Sequence, residues 1–243
     1  MGNRSALRAD SGLLSILRDE DFALIGPHLR HEVRETGALL YRPGDNVERV
    51  FFPLGPSVVA FVVQHMDARE VETVLVGREG AVGGIVSSGF LPAFCVMMVK
   101  FGGPFLMVPV ARVEDAKGQS ASFHRVFSRY ADCLMAQMFQ GVACNACHSI
   151  EQRAAKWILA SIDRTGSDVV PLHQQGLASL LGVGRSYTSR VLQTLKSDGV
   201  VDLRRGQIAV QDKDELALRS CGCNDTVKAH FDVVLRGVYP DGN

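Results

Sequence analysis

Three groups of residues in this chain have the types and spacing for chemistry. Cys144, Cys147 and His148, within CNACHSIEQR, stand as C-x-x-C-H, the spacing at which two thiols take a haem covalently and a histidine ligates its iron. Cys221 and Cys223 form C-x-C, two thiols able to ligate a metal or to oxidise. Arg185, Arg190, Arg204 and Arg205 lie close together in sequence with Ser186, Ser189 and Gln193, and guanidinium groups in that company suit guanine edges and phosphates. Each group has an ordinary reading as well. On a helix, positions 144, 147 and 148 share one face, where small thiols pack as core. A zinc site needs four ligands, so Cys144 and Cys147 could join Cys221 and Cys223 only if the tail folds back to them. Packing is the default for both, and no metal or cofactor is assigned.

An enzyme is not expected. Asp67, Glu70, Glu72 and Glu79 fall in strands or turns at spacings that read as solvated faces, and His28, His31, His65 and His124 have no evident triad partners. No catalytic residue is assigned.

The elements that must position these residues follow from composition and periodicity. A 243-residue chain with 47% hydrophobic and 21% charged positions has enough material for two domains. Its 26 basic and 26 acidic side chains balance, yet residues 149–211 hold eight basic against five acidic, which concentrates positive charge in one segment. Charges interrupt every apolar run of MGNRSALRADSGLLSILRDEDF, so neither a signal-peptide core nor a membrane span is expected. Six cysteines scattered at 95, 133, 144, 147, 221 and 223 do not form a secreted disulfide framework. A cytoplasmic protein with reduced thiols is the expectation, which weighs against covalent haem.

Leu13, Leu14, Leu17, Phe22, Leu24 and Ile25 recur at helical spacing before Gly26-Pro27. From Ala38 to Val110, runs such as RVFFP, SVVAFVV, VETVLV and FLMVPV alternate with Gly and Pro turns, the pattern of a small barrel or β-roll. Val126, Phe127, Tyr130, Leu134 and Met138 keep a spacing of three or four, predicting a long amphipathic helix whose stripe serves as a dimer seam. Ser149 with Gln152 has the form of a capping box opening a further helix that Gly166 ends. In residues 174–210, Leu177, Leu180 and Leu181 line one short helix, Gly182-Val183-Gly184 turns the chain, and Thr188, Val191, Leu192 and Leu195 line a second helix. A hairpin around Arg204-Arg205-Gly206 follows. This is a winged helix-turn-helix, with the second helix presenting its polar face to a major groove.

At these residues the chain resembles the Crp/Fnr family of bacterial transcription regulators. The likeness is carried by LYRPGD at 40–45, VGREGAVGG at 76–84, the CN..HS..QR frame at 144–153, LGVGRSYTSRV at 181–191, RRGQI at 204–208 and the Cys-x-Cys at 221–223. The resemblance implies an α+β chain in three parts: a cyclic-nucleotide-binding-like β-roll over 1–122, a dimerisation helix over 123–148 and a winged helix-turn-helix over 149–223, with a tail over 224–243. It also implies a homodimer on a palindromic double-stranded DNA operator, with RNA polymerase as a further partner. Expected DNA contacts are His173, Gln174, Arg185, Ser186, Ser189, Arg190, Arg204 and Arg205, and the expected dimer interface is Phe127, Tyr130, Leu134 and Met138.

Arg190 matches the arginine through which similar regulators contact guanine. Ser186 departs from the pattern, standing where the best-known members have a glutamate. In similar regulators the 144–153 frame is a Cys-Asn followed by His-Ser, so Cys147 completes C-x-x-C-H as a local variation. Members that bind a cyclic nucleotide place an arginine in the loop after the Gly-rich strand. Residues 83–99 contain no charged side chain, so cyclic AMP is not expected, and core is preferred over an apolar pocket for that loop. Similar iron-sulfur sensors use cysteines near the N-terminus, and residues 1–94 contain none. A haem- or thiol-based redox sensor or electron carrier using CNACH is the alternative function.

Overall fold

A computed structural model describes residues 7–64, 70–87 and 89–239; His65 and Asp67 lie outside the described residues. Two short helices, α1 (Gly12–Ser15) and α2 (Asp19–Ile25), lead through a 3-10 turn at Gly26–His28 into eight strands. These are β1 (Arg30–Arg34), β2 (Leu39–Tyr41), β3 (Arg49–Pro53), β4 (Val58–Gln64), β5 (Glu70–Val76), β6 (Val82–Gly83), β7 (Val96–Phe101) and β8 (Gly103–Pro109). They form two antiparallel sheets of order β1-β8-β3-β6 and β2-β7-β4-β5.

Strand alternation explains the apolar runs. Phe51, Val59, Val74, Val76, Phe105 and Met107 point between the sheets, where they pack with Tyr41 and Val99. Their neighbours point outward into two other cores. Val50, Phe52, Leu106 and Val108 meet the helices on one flank, whereas Val58, Ala60, Val62 and Leu75 meet the helices on the other. Successive side chains of a strand take opposite faces, so a sheet covered on both sides reads as continuous hydrophobic sequence.

Helix α3 (Val110–Gln119) and the 27-residue α4 (Ala121–Cys147) follow. Ser120 breaks them apart, and its hydroxyl accepts from Phe123 N to cap α4. The capping box of Ser149 and Gln152 opens α5 (Ile150–Thr165), which Gly166 ends in the left-handed conformation at φ 68°. Then come β9 (Val169–Val170), α6 (Gln174–Leu181), α7 (Arg185–Ser197) and the hairpin β10 (Val201–Arg204) with β11 (Gln207–Val210), the three strands ordered β10-β11-β9. The chain closes with α8 (Lys213–Arg219) and α9 (Cys223–Arg236).

Four expectations need correction. The segment after 224 is no mere tail, since α9 packs along α4: Phe231 and Val238 enter the first flank's core, and Arg129 and Arg125 of α4 donate to the Val234 and Val238 carbonyls at 2.7 and 3.1 Å. Phe127 and Tyr130 cannot form a dimer seam, because they are 1% and 0% exposed inside the chain's own core. Glu72 is not on a solvated face but buried against Lys100. The 83–99 loop is not simply core: Ala93 and Cys95 are buried, yet Val86, Phe90 and Phe94 are exposed.

Tyr130 instead locks the GREG turn. Its hydroxyl donates to Ala81 O at 3.0 Å. A Cβ at Gly80 would fall 2.1 Å from the Tyr130 hydroxyl oxygen, so only glycine fits. In the same turn Glu79 pairs with Arg164 of α5 at 3.0 Å. No helix among the described residues is long and apolar enough to cross a membrane.

Candidate nucleic-acid interface

Apolar spacing sets this site. Leu177, Leu180 and Leu181 of α6 and Val191, Leu192 and Leu195 of α7 bury against Ala154, Ala155 and Ile158 of α5. Their burial turns the remaining face of α7 outward. Gly182, at φ 66°, caps α6 and turns the chain between the two helices. Thr188 faces the core, fully buried, with its hydroxyl 3.4 Å from Gly184 O. Arg185, Ser186, Tyr187 and Arg190 are exposed and Ser189 is half-buried.

One open groove of about 450 Å³ collects residues from three elements: His173 and Gln174 at the start of α6, Arg185 at the start of α7, and Arg204 and Gln207 of the hairpin. Gly206, at φ 75°, supplies the left-handed residue of the hairpin turn. His173 is the N-cap of α6, its Nδ1 accepting from Gly176 N at 3.0 Å. Nδ1 is thereby occupied, which leaves the Nε2 edge for any contact. Asp202 accepts from Arg204 at 3.5 Å and lies 3.4 Å from Lys196 of α7, so the hairpin is tied to the helix it flanks. The Lys196 hydrogen bond, with Arg204 beside it, holds the Asp202 carboxyl below its ordinary range.

Tyr187 was not among the residues singled out from sequence. The Arg190 guanidinium lies 5.1 Å from its ring centroid, and its hydroxyl donates to Glu151 of α5 at 3.0 Å. That hydrogen bond pushes the Tyr187 phenol above its ordinary value. Stacking on an anchored ring restricts the rotamers of Arg190 before any base is met. An aromatic one helical turn before an outward arginine was the available signal.

Residues 152–219 match the Crp-like helix-turn-helix domain. The chain carries that domain on the Crp/Fnr fold. FixK2 from Bradyrhizobium japonicum superposes at a TM-score of 0.67 with 14% identity, covering 79% of this chain and 98% of its own. The c-di-GMP responsive global regulator CLP from Xanthomonas campestris gives 0.63 and 15%, covering 79% and 99%. A Crp/Fnr-family transcriptional regulator from Eubacterium rectale gives 0.60 and 18%, covering 85% and 96%. No curated protein matches the chain by sequence.

In this Crp/Fnr fold the Crp-like domain sits on the outer face of the β2-β7-β4-β5 sheet. Ser179 donates to Glu70 O at 3.1 Å, and Lys100 Nζ lies 3.4 Å from Gly176 O and 2.6 Å from Glu72. A Cβ at Gly176 would come within 2.9 Å of that ammonium. Beside this contact lies a cleft of about 630 Å³, lined by Lys100 and Glu72 from the roll and by His173 and Arg185 from the Crp-like domain.

Cys144, Cys221 and Cys223 pack together as a buried cluster, and the segment after the winged helix folds back to bring them there. Cys147 is exposed while Cys144 is buried, so the two thiols of C-x-x-C-H do not face one environment. Cys144, His148, Cys221 and Cys223 instead converge at the end of α4.

Proposed function

We propose that the protein is a homodimeric, sequence-specific transcription regulator that reads a palindromic operator through α7 and grips its backbone with the β10–β11 hairpin. The observation that carries this is the gathering of His173, Gln174, Arg185 and Arg204 around one groove, next to an Arg190 held on Tyr187. Arg190 takes the base-reading role, and Arg204 and Arg205 take phosphates. Ser186 and Ser189 are short donors that leave room for the arginines, and RNA polymerase is the expected partner of the DNA-bound dimer. A c-di-GMP response belongs to the Xanthomonas regulator and is not carried over here.

Selection of bound sequences from a random pool tests the reading. Two inverted half-sites about 34 Å apart should emerge, because twofold-related recognition helices enter successive major grooves. Arg190→Ala should flatten the preference at one base pair per half-site, a loss of roughly 1–3 kcal/mol in discrimination. Arg204→Ala should weaken all sequences alike and lower the salt slope by about one. An asymmetric footprint, or unchanged base preferences in Arg190→Ala, removes α7 as the reader.

Cyclic AMP should leave DNA affinity unchanged. Residues 83–99 offer no charged side chain, and a hydrophobic cluster packs between the two sheets. A phosphate buried there without a cation would cost several kcal/mol. Micromolar binding in a calorimetric titration would contradict the expectation.

A further inference from the structure

The four ligand-bearing atoms of Cys144, His148, Cys221 and Cys223 lie within 4.8 Å of one another. Cys144 Sγ is 3.6 Å from Cys221 Sγ, and Cys223 Sγ is 3.6 Å from His148 Nδ1. A tetrahedral centre with metal–sulfur bonds of about 2.3 Å spaces its ligand atoms about 3.8 Å apart. The two 3.6 Å separations are close to the edges of such a tetrahedron, and the 4.8 Å limit on the rest is within reach of small side-chain adjustments. All three cysteines are buried, with Cys144 fully so, and His148 closes the fourth corner as the C-cap of α4.

A second observation concerns charge. Lys156 of α5 is only 7% exposed, and its ammonium points at Cys144 Sγ from 3.5 Å. Among the described residues no carboxylate pairs with it; its other neighbour is the Trp157 ring at 4.1 Å. An ammonium held in the interior is stabilised by an anionic partner. Three thiolates around a divalent cation carry a net charge of minus one, which one lysine neutralises. Gln140 donates to Cys223 Sγ at 3.1 Å, a hydrogen bond of the kind that orients a sulfur ligand. Three neutral thiols would leave Lys156 facing no charge at all.

We propose that Cys144, His148, Cys221 and Cys223 form a closed Cys3His site for a thiophilic divalent cation, zinc by its ligand set. The cation fastens the junction of α8 and α9 to the elbow between α4 and α5. Binding replaces the thiol protons, which leave to solvent, and no electron is transferred. Cys147 takes no part.

The test uses the full chain, purified under reducing conditions from zinc-supplemented cells. Elemental analysis should find one zinc per chain. Cobalt substituted for zinc should give thiolate-to-metal charge transfer in the near ultraviolet and the intense visible bands of tetrahedral coordination. A chelator should lower the melting temperature. The Cys221→Ser/Cys223→Ser double variant and His148→Ala should each lose the cobalt spectrum, while Cys147→Ala keeps it. The wild-type spectrum reads out the site even if the double variant fails to fold. Protein that binds neither zinc nor cobalt, a Cys144–Cys221 disulfide in protein kept reduced, or metal that survives the double variant but leaves with Cys147 would each overturn the proposal. None of these readouts involves DNA, so failure here is separate from failure of the operator experiments.

Discussion

Replacing Lys100 by methionine should destabilise the contact between roll and winged helix by about 3–5 kcal/mol at neutral pH, the usual cost of removing one member of a buried ion pair. The side chains of Lys100 and Glu72 are 9% and 4% exposed, with Lys100 Nζ 2.6 Å from Oε1, and Glu72 Oε2 is buried without a hydrogen-bond partner. Burial pushes the Glu72 carboxyl above its ordinary range, and the Lys100 charge opposes that rise without cancelling it. Without Lys100 the carboxyl binds its proton more tightly still in the folded chain. The variant should therefore recover stability as pH falls, and lose it as pH rises from the ordinary glutamate value toward the raised folded one. The deficit should be largest at neutral pH and shrink as the solution is acidified. Adding Glu72→Gln should return most of the loss, because the orphaned charge goes with it. Denaturant melts at two pH values decide the matter. A deficit of constant size, or one untouched by Glu72→Gln, would show that the pair does not carry the contact.

Phe139→Asp should convert the proposed homodimer to monomer at micromolar concentration while leaving each chain folded. Met135, Met138, Phe139 and Val142 are 43%, 46%, 69% and 71% exposed on α4, a stripe at helical spacing along its C-terminal half, beyond Phe127 and Tyr130. Burying side chains of this size is worth roughly 1.5–3 kcal/mol each, and a twofold interface counts each change twice. The loss of about 3–6 kcal/mol corresponds to two to four orders of magnitude in the dimer constant. Tyr130→Ala should instead lower the melting temperature, since that ring fills the chain's own core. Sedimentation and thermal melts of the two variants distinguish these outcomes. A Phe139→Asp protein that still sediments as a dimer would place the seam elsewhere.

The sequence was most legible where one physical constraint acts alone. Turn glycines and apolar runs outline β3, β4, β5 and β8, and the Ser149–Gln152 box marks the start of α5 to the residue. β1 escaped because RHEVR lies at a sheet edge, where burial imposes no apolar alternation. Phe127 and Tyr130 were misassigned to a seam because the apolar stripe of α4 runs from the chain's own core into an exposed C-terminal half, and spacing gives a stripe without saying which stretch is covered. Glu72 illustrates the same gap: alternation from Val74 and Val76 would turn it into the roll, but a register shift at Thr73 reverses its side, and only tertiary structure reveals a second domain waiting there. The cysteines needed more still, because Cys144 and Cys221 are 77 positions apart and no local period relates them.

The two-sided burial of the strands also sets how force travels through the molecule. Val59, with its ring of neighbours, faces the interior of the roll, and the adjacent Val58 and Ala60 face the floor on which α6 and α5 rest. No soft layer lies between them. Close-packed side chains transmit strain rather than absorb it. A strand pushed outward by a fraction of an ångström from within the roll must therefore lift the floor by the same amount, and with it the footing of the helix that meets DNA.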